Sequence, residues 1–521
     1  MLQKAYRYRY PLLLSAYLVI WVLFQLVFLT SFPFVHSDEA WLGGLTRNML
    51  EQGNMGVTET FFDAKPRYPH AIKSLFHLLQ MVTVKLFGYS VFSLRLVSLT
   101  GGVVCLWLFW RCAGRLLRSP LMALLLTILF SMDVQFIYAS HFARQEILLC
   151  LCICACLAIL LRGQYTSSHS IALAVITGLA IGLHPNSFLV GCMCGVCLLL
   201  RYLQNRKAGL RPLLVYIGVT AAFAAVFVAI SYSFDSQFIK HYLAYGQGEF
   251  ELLVPLHEKA AGLGGFFARL FAGESGTYYL PDIRFQLLLF PAAAIFCLVF
   301  ALVMRREEGE TASMLFTLLG AASGIAAGMV LIGRFNQTSI LFLFPIGWLL
   351  TAFACTLFGE RIKVVLLATL TAVVLLCSVT NIRPWLIAPS YESYLEQLGT
   401  ILPKDARVLG NLNTDFYFEN GSLRDYRNLP FALRDGTLEE YIEANEIEYI
   451  LYSQELDYLY EHRPYYNVIY GNIMFRDELL RFCSERCTKL SSFQNATYGA
   501  RVTGLIGSGE YDGVTVYEVN R

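Results

Sequence analysis

Charge is scarce in this chain. Asp, Glu, Lys and Arg make up 15% of its 521 residues and hydrophobic residues 56%, whereas soluble globular proteins carry roughly 25% charge. Dense basic runs are absent too, which excludes a nucleic-acid binder or a polybasic lipid-surface binder. There is no internal repeat, no low-complexity linker and no glycine-rich phosphate loop. No small-residue cleavage site follows the first apolar run before Phe32-Pro33-Phe34, so that run reads as a span and not as a cleavable signal peptide. The charge that exists is split: residues 1–381 hold 27 Lys/Arg against 17 Asp/Glu, and residues 382–521 hold 13 against 21. A single soluble domain and a disordered chain are excluded.

What the chain does have is apolar length. The hydrophobic residues fall in blocks of about 18–22, enough to cross a hydrocarbon layer of roughly 30 Å at 1.5 Å per residue. Eleven spans are expected, near 11–32, 92–110, 119–138, 146–161, 170–183, 187–201, 212–232, 285–304, 312–332, 339–357 and 362–380. The expected fold is therefore a polytopic α-helical membrane protein with a helical membrane domain over 1–381. Its tail, 382–521, reads as a soluble α/β domain, with strands at Ala406–Leu409, Ile447–Tyr452 and Val514–Val519 and helices at Thr437–Ala444 and Asp477–Cys487.

Alternate threading of these spans collects cations on one side, among them Lys4, Arg7, Arg9, Arg111, Arg115, Arg118, Arg162, Arg201, Arg206, Lys207, Arg211, Arg361 and Lys363. The positive-inside rule places that side, and the N-terminus, in the cytoplasm. An odd span count then puts the tail outside, in a cell (inner or plasma) membrane. The inner loops are too short and plain to bind a nucleotide, so chemistry belongs to the outer face. There the segments 38–53 and 69–87 read as amphipathic interfacial helices within the long loop 33–91.

Twelve of the 14 cysteines lie in apolar segments. The alternate spacing of Cys150, Cys152, Cys154 and Cys156 scatters them around a helix, which argues against a metal or Fe–S site; buried Cys behaves as a small hydrophobe. Cys483 and Cys487 lie in the tail, at a spacing poor for a disulfide on a regular helix.

The chemically informative segments lie in the outer loops. His36-Ser37-Asp38-Glu39-Ala40-Trp41 places two carboxylates at the membrane edge, where desolvation is costly. They read either as a helix start with Ser37 or Asp38 as N-cap, or as a carboxylate that takes a proton from an acceptor. Asp63-Ala64-Lys65-Pro66-Arg67-Tyr68-Pro69-His70 is stiffened by two prolines. Its Lys65, Arg67 and His70 read as headgroup attraction or as a phosphate cradle. Arg144 and Glu146 read as a neutralising pair or as site residues, beside His141. His184-Pro185-Asn186 and Gly333-Arg334-Phe335 occupy further outer turns.

In the order of these motifs the chain resembles the GT-C glycosyltransferases, in the branch of protein O-mannosyltransferases and lipid A aminoarabinose transferases. The resemblance rests on the Asp38-Glu39 pair after the first span and on Lys65-Pro66. It continues in the amphipathic segment to Phe87-Gly88, in Arg95-Leu96, in Ala143-Arg144 with Glu146, and in Arg334 before Pro345, and it covers roughly residues 1–380. Departures are Arg67 where the family often has a second proline, Glu146 where Asp is commoner, and His184-Pro185-Asn186 where many relatives carry Lys-Gly. The resemblance implies a membrane hexosyl- or pentosyltransferase that moves a sugar from a polyprenyl-phosphate donor to a lipid, glycan or protein acceptor outside the cytoplasm. It implies Asp38 as the catalytic carboxylate with Glu39 beside it, and Lys65 on the lipid phosphate.

The expected reaction is a single inverting displacement with Asp38 as base and with Lys65, Arg67, Arg144 and Arg334 on the donor phosphate. His70, His141, Glu146 and His184 are candidate substrate contacts. No cofactor is demanded, although an Asp38–Glu39 pair could hold Mg²⁺ or Mn²⁺. The expected partners are the lipid-linked sugar, its acceptor and membrane lipids. The rival reading is a transporter or lipid flippase.

Overall fold

The computed structural model describes residues 2–520 except 164, 251–253, 275, 305, 306, 308, 334, 466 and 468, and gives the backbone alone for 2–8, 248–250 and 360. Its first part is helical: α1 (Leu2–Val27), α2 (Ser37–Gln52), α3 (Ser74–Phe87), α4 (Val91–Leu117), α5 (Pro120–Ser131), α6 (Val134–His141), α7 (Glu146–Leu160), α8 (Ser167–Ile181), α9 (Ser187–Gln204) and α10 (Arg206–Phe234). Then follow α11 (Phe238–Phe250), α12 (Leu256–Ala272), α13 (Arg284–Val303), α14 (Gly309–Ile332), a 3-10 turn at Gln337–Leu343, α15 (Phe344–Thr356) and α16 (Glu360–Ile387). Among the described residues eight helices are long and apolar enough to cross a membrane, or nine if α5 and α6, bent by 64°, form one span. The expected eleven adds α7 and α8, which at 15 residues each are shorter than the roughly 20 of a straight crossing.

Local chemistry explains the breaks. Ser119 caps α5 ahead of Pro120, which needs no N–H partner at the first helical position. Asp133 caps α6 through the Gln135 N–H, and its other oxygen accepts from Gln286 (3.0 Å) and Trp348 (3.1 Å), which ties α13 and α15 to the bend. Helices α9 and α14 approach closely because Gly324 has no side chain: a Cβ there would lie 2.7 Å from the Met193 Cα, the small-residue packing common between membrane helices. Cys150 and Cys154, four residues apart, share one face of α7 and meet Cys105 of α4 at 3.8 and 3.6 Å. The expected scattering thus fails for this i,i+4 pair, and the three thiols sit among apolar side chains of the bundle core.

The two ends of the bundle gather the loops that alternate threading assigns to opposite sides. At one end Arg118 pairs with Glu310 (2.7 Å) and Arg115 donates to the Leu161 carbonyl (2.8 Å). At the other, the segments 33–91 and 273–284 meet the C-terminal domain, through contacts such as Arg501 on Ser37 and Thr503 on the Tyr278 carbonyl, and Thr338 joins Glu146.

That domain opens with α17 (Tyr391–Gly399), followed by β1 (Val408–Gly410), β2 (Leu423–Asp425), α18 (Leu429–Ala432), α19 (Leu438–Ala444), β3 (Tyr449–Ser453), α20 (Glu455–His462), α21 (Arg476–Arg486), β4 (Cys487–Gln494) and β5 (Gly513–Val519). The sheet order is β2-β1-β3-β5-β4. The first three strands are parallel, and β5 runs antiparallel to both neighbours. The domain is docked by buried polar contacts. Arg47 of α2 pairs with Asp415 (2.9 Å), whose other oxygen accepts from Tyr89 (2.6 Å), and Tyr441 donates to Asp63 (2.8 Å). Tyr391, Tyr394 and Tyr498 join the same apolar core as the helices, so the tail packs directly on the bundle.

Candidate active site

The site is built at the N-terminus of α2. The cap is His36, not Ser37 or Asp38 as expected, because the helix already starts at Ser37. The imidazole Nδ1 accepts the Asp38 N–H and the Glu39 carboxylate accepts the His36 N–H, each at 3.0 Å, a reciprocal arrangement that satisfies two orphan donors. An accepting Nδ1 requires a neutral ring, in line with burial, which lowers the His36 pKa to about 4 despite the opposite pull of Asp38.

The capping geometry sends the adjacent carboxylates to different partners. Glu39 is fully buried and holds Arg95 in a two-pronged pair, Nε–Oε1 2.7 Å and Nη2–Oε2 2.8 Å. Its Oε1 also accepts the Ala143 N–H at 2.9 Å. Arg95 in turn donates to the carbonyls of Leu29 and Pro33, so the pair clamps the chain leaving α1 against α4 and against the turn before α7. Every Glu39 oxygen is committed, which leaves Glu39 a structural node rather than a second reactive acid.

Asp38 is 24% exposed at its side chain. Its Oδ2 accepts from Arg144 Nη1 (2.7 Å) and from the Tyr278 hydroxyl (2.7 Å), and the Tyr278 ring stacks on His36 with centroids 4.5 Å apart. Oδ1 accepts no hydrogen bond among the described residues, and His36 Nδ1 stands 3.7 Å from it. Burial pushes the Asp38 carboxyl up, but Arg144 with help from His36 and Tyr278 outweighs it and holds the group well below the usual carboxylate range. Arg144 extends the chain of contacts to Glu146 (2.9 Å), which accepts from Thr338 (2.8 Å). Among the described residues, Arg144 Nε and Glu146 Oε2 are buried without a hydrogen-bond partner.

Trp41, one helical turn beyond Asp38, gathers cations. The Arg427 and Arg67 guanidinium carbons lie 4.8 and 5.0 Å from its ring centre and the Lys65 ammonium 5.7 Å, within the range of cation–π attraction. Lys65 is nearly buried, its backbone N–H held by Asn428 (3.1 Å). Arg67 spends its Nε and Nη2 on both oxygens of Glu59. Burial works against the charged Glu59, yet Arg67 draws its pKa down to about 2. From the C-terminal domain Arg501 donates to Ser37 Oγ.

The structure thus brings Asp38, Arg144 and Glu146 together. His141 lies deeper, against Phe28 and the Phe32 carbonyl (2.9 Å). His184 accepts the Asn186 N–H and shapes its own turn. His70 stands beside Phe238 and Tyr242, with burial lowering its pKa to about 4. Arg334 lies outside the described residues. Sequence reasoning missed Tyr278, Arg427 and Arg501; Trp41 alone carried a signal, its i,i+3 spacing from Asp38 on one helix face.

The Asp38–Glu39 pair does not fit a divalent cation. Glu39 has no oxygen to spare, and Asp38 Oδ2 already serves two donors, one of them a guanidinium whose charge opposes a metal ion.

No family model matches the chain, and no curated protein matches it. Among solved structures it is similar to the oligosaccharyltransferase AglB of Archaeoglobus fulgidus in complex with an inhibitory peptide and a dolichol-phosphate, at 13% identity and a TM-score of 0.50 over 91% of this chain and 72% of that one. It is also similar to ArnT of Cupriavidus metallidurans bound to undecaprenyl phosphate, at 16% identity and a TM-score of 0.48 over 98% of each chain. At such identities the likeness is one of fold: a helical bundle with apolar, membrane-length helices, followed in this chain by a small C-terminal sheet domain.

Proposed function

We propose that this protein is a membrane glycosyltransferase that moves a sugar from a polyprenyl-phosphate carrier to an acceptor. The observation that carries this reading is the Asp38–Arg144 contact: a partly exposed carboxylate with one open oxygen, held by a buried guanidinium. A dolichol-phosphate in the fold-related AglB and the motif order of the GT-C resemblance support the lipid-linked donor.

In this mechanism the acceptor hydroxyl or amine hydrogen-bonds to Asp38 Oδ1 and attacks the anomeric carbon from the face opposite the phosphate. The new bond forms as the sugar–phosphate C–O bond breaks, with the electron pair leaving on the phosphate and the acceptor proton passing to Asp38. The configuration inverts. Lys65 and Arg144, with Arg334 as the sequence places it, stabilise the growing phosphate charge, an effect worth roughly 3–4 kcal/mol per well-placed donor. Arg144 has a second duty. While it rests on Asp38 the carboxylate is a weak base; a donor phosphate that draws Arg144 away restores basicity as the acceptor needs it. Glu39 positions α2 and takes no part in bond making. The site faces the outer surface, with the N-terminus in the cytoplasm, and the inner-loop cations at the opposite end of the bundle support this orientation.

A transporter reading would point to the bend between α5 and α6. Its Asp133 is closed by Gln286, Trp348 and the helix it caps, so it is a structural acid.

The test uses purified full-length protein with a polyprenyl-phosphate sugar donor and candidate acceptors. Release of polyprenyl phosphate coupled to a glycosylated product is expected. Movement of the lipid or substrate across liposomes with no covalent change would refute the assignment.

A further inference from the structure

The C-terminal domain holds two cysteines where a helix hands over to a strand. Cys483 lies in the last turn of α21, and Cys487 is the first residue of β4. Four residues along a helix put two Cα atoms roughly 6 Å apart, inside the span of about 4.4–6.8 Å that a disulfide bridges. What forbids the bond on a regular helix is direction, because side chains at i and i+4 stand one above the other and lean the same way along the axis. That obstacle is removed here. The helix ends at Arg486, and Cys487 is extended, with φ −125° and ψ 154°, as its pairing with Val519 of β5 demands. The change of φ swings its side chain out of the row, and the two thiols meet. The expectation from spacing holds for a continuous helix, and this helix stops between the two cysteines.

The two sulfurs differ in access. Cys483 is 2% exposed and belongs to the apolar core of the domain with Leu479 and Phe482. Cys487 is half-buried at the margin of that core. Hydrogen bonding with Cys487, reinforced by burial, pushes the Cys483 thiol up, whereas the same contact lowers Cys487 against the opposing effect of its own burial. The reachable sulfur is therefore the one that ionises more readily, which is what an attacking thiol needs. Thiols also meet inside the bundle, where Cys105 faces Cys150 and Cys154, but all three are fully buried and out of reach of a dissolved oxidant.

We propose that Cys483 and Cys487 are a redox-active pair that closes to a disulfide on the outer face, with Cys487 attacking and Cys483 resolving. The Cys487 thiolate attacks one sulfur of a disulfide-bearing oxidant and expels the other as a thiolate. Cys483 then gives up its proton and attacks the Cys487 sulfur, releasing the rest of the oxidant as a second thiolate. Two electrons pass from the pair to the oxidant disulfide, and the two protons end on the two released thiols. Once closed, the bond ties the end of α21 to the edge strand β4. This rests on the outward placement of the C-terminal domain, since disulfides persist in oxidising compartments and not in the cytosol.

The test uses purified full-length protein, reduced, equilibrated with oxidised glutathione, blocked with an alkylating agent, unfolded and digested with trypsin. Cleavage after Arg481, Arg486 and Lys489 separates the two cysteines, so the bridge leaves residues 482–486 joined to residues 487–489. Mass spectrometry should find the joined peptide as the main form, and dithiothreitol should abolish it. In the reduced wild type, limiting iodoacetamide should label Cys487 at least about tenfold faster than Cys483, which decides the order of attack without any variant. Cys483→Ser should hold at least about tenfold more glutathione on Cys487 than Cys487→Ser holds on Cys483. Two free thiols after oxidised glutathione, or equal labelling of the two cysteines, overturns the proposal. The joined peptide is also expected from acid-quenched cells. Free thiols in cells beside a joined peptide in the purified protein would defeat the outward placement and the resident disulfide with it, whereas failure with glutathione defeats the pair whatever the topology. None of these measurements needs sugar transfer.

Discussion

Asp38 and Glu39 are neighbours in the chain and belong to different structures. Asp38 reaches Arg144 at 2.7 Å from a partly exposed position, and Glu39 reaches Arg95 at 2.7 Å from a fully buried one. The helix cap makes the division: once Glu39 folds back to the His36 N–H, α2 geometry turns Asp38 toward the α6–α7 turn. The two acids should therefore fail in different ways when substituted.

Asp38→Asn should reduce turnover by about 10²–10⁴-fold, the usual worth of a positioned acid–base group, and lower the thermal midpoint less than Glu39→Gln does, because Asp38 is partly exposed and Arg144 keeps Glu146 as a partner. Polyprenyl-phosphate release by purified enzyme measures the first and a melting curve the second. Near-normal turnover would remove Asp38 from the chemistry.

Glu39→Gln should instead destabilise the fold. Breaking one partner of a buried pair leaves an uncompensated charge, here on Arg95, at a cost of about 3–5 kcal/mol. A lowered midpoint or poor recovery from the membrane is the expected readout. An apolar replacement of both partners should recover part of the loss.

Tyr278→Phe removes the hydroxyl between Asp38 and Arg144 but keeps the ring stacked on His36. Hydrogen bonds to charged groups contribute about 1.5–3 kcal/mol. A fall of about 10–100-fold in kcat is expected with the midpoint little changed.

Acid should weaken the fold in two stages. The His36 pKa is about 4 in the folded protein against the usual 6.5, so the unfolded chain takes up its proton first as pH falls. Stability from the neutral cap is complete above 6.5 and lost between there and about 4; His70, also near 4, adds to this stage. Glu59, near 2 against the usual 4.5, keeps its pair with Arg67 until pH falls through 4.5 toward 2. Melting curves across this range should be flat above 6.5 and fall below it. Glu59→Gln should lower the midpoint at neutral pH and diminish the second stage, to which Asp38 also contributes.

The docking of the C-terminal domain should depend on Asp415. Asp415→Asn leaves Arg47 buried with a weaker partner, and the short connection between α16 and α17, residues 388–390, should be cut faster in limited proteolysis. Unchanged cleavage would show that the shared tyrosine core holds the domain by itself.

Several elements were legible from composition and spacing. The apolar blocks and their flanking cations anticipate the helices and which loops share an end, because lipid and water impose a strong one-dimensional pattern on a chain. The amphipathic segments 38–53 and 69–87 became α2 and α3 for the same reason. In the tail, β3, α19, α21 and β5 follow local propensity closely. Strands β2 and β4 were missed: β2 is three residues long, and β4 is a polar edge strand paired only to β5.

The sequence by itself determined that this is a helical membrane protein with an acidic appended domain, and it drew attention to residues 36–41, 65 and 144. Tertiary structure decided which carboxylate stays open to solvent, that Tyr278 arrives from 240 positions away and Arg501 from 464, and that Arg67 is committed to Glu59. Hydropathy is a property of neighbours along the chain and leaves a local trace. Pairing between a carboxylate and a distant guanidinium depends on where helices cross, and one sequence carries no local trace of that.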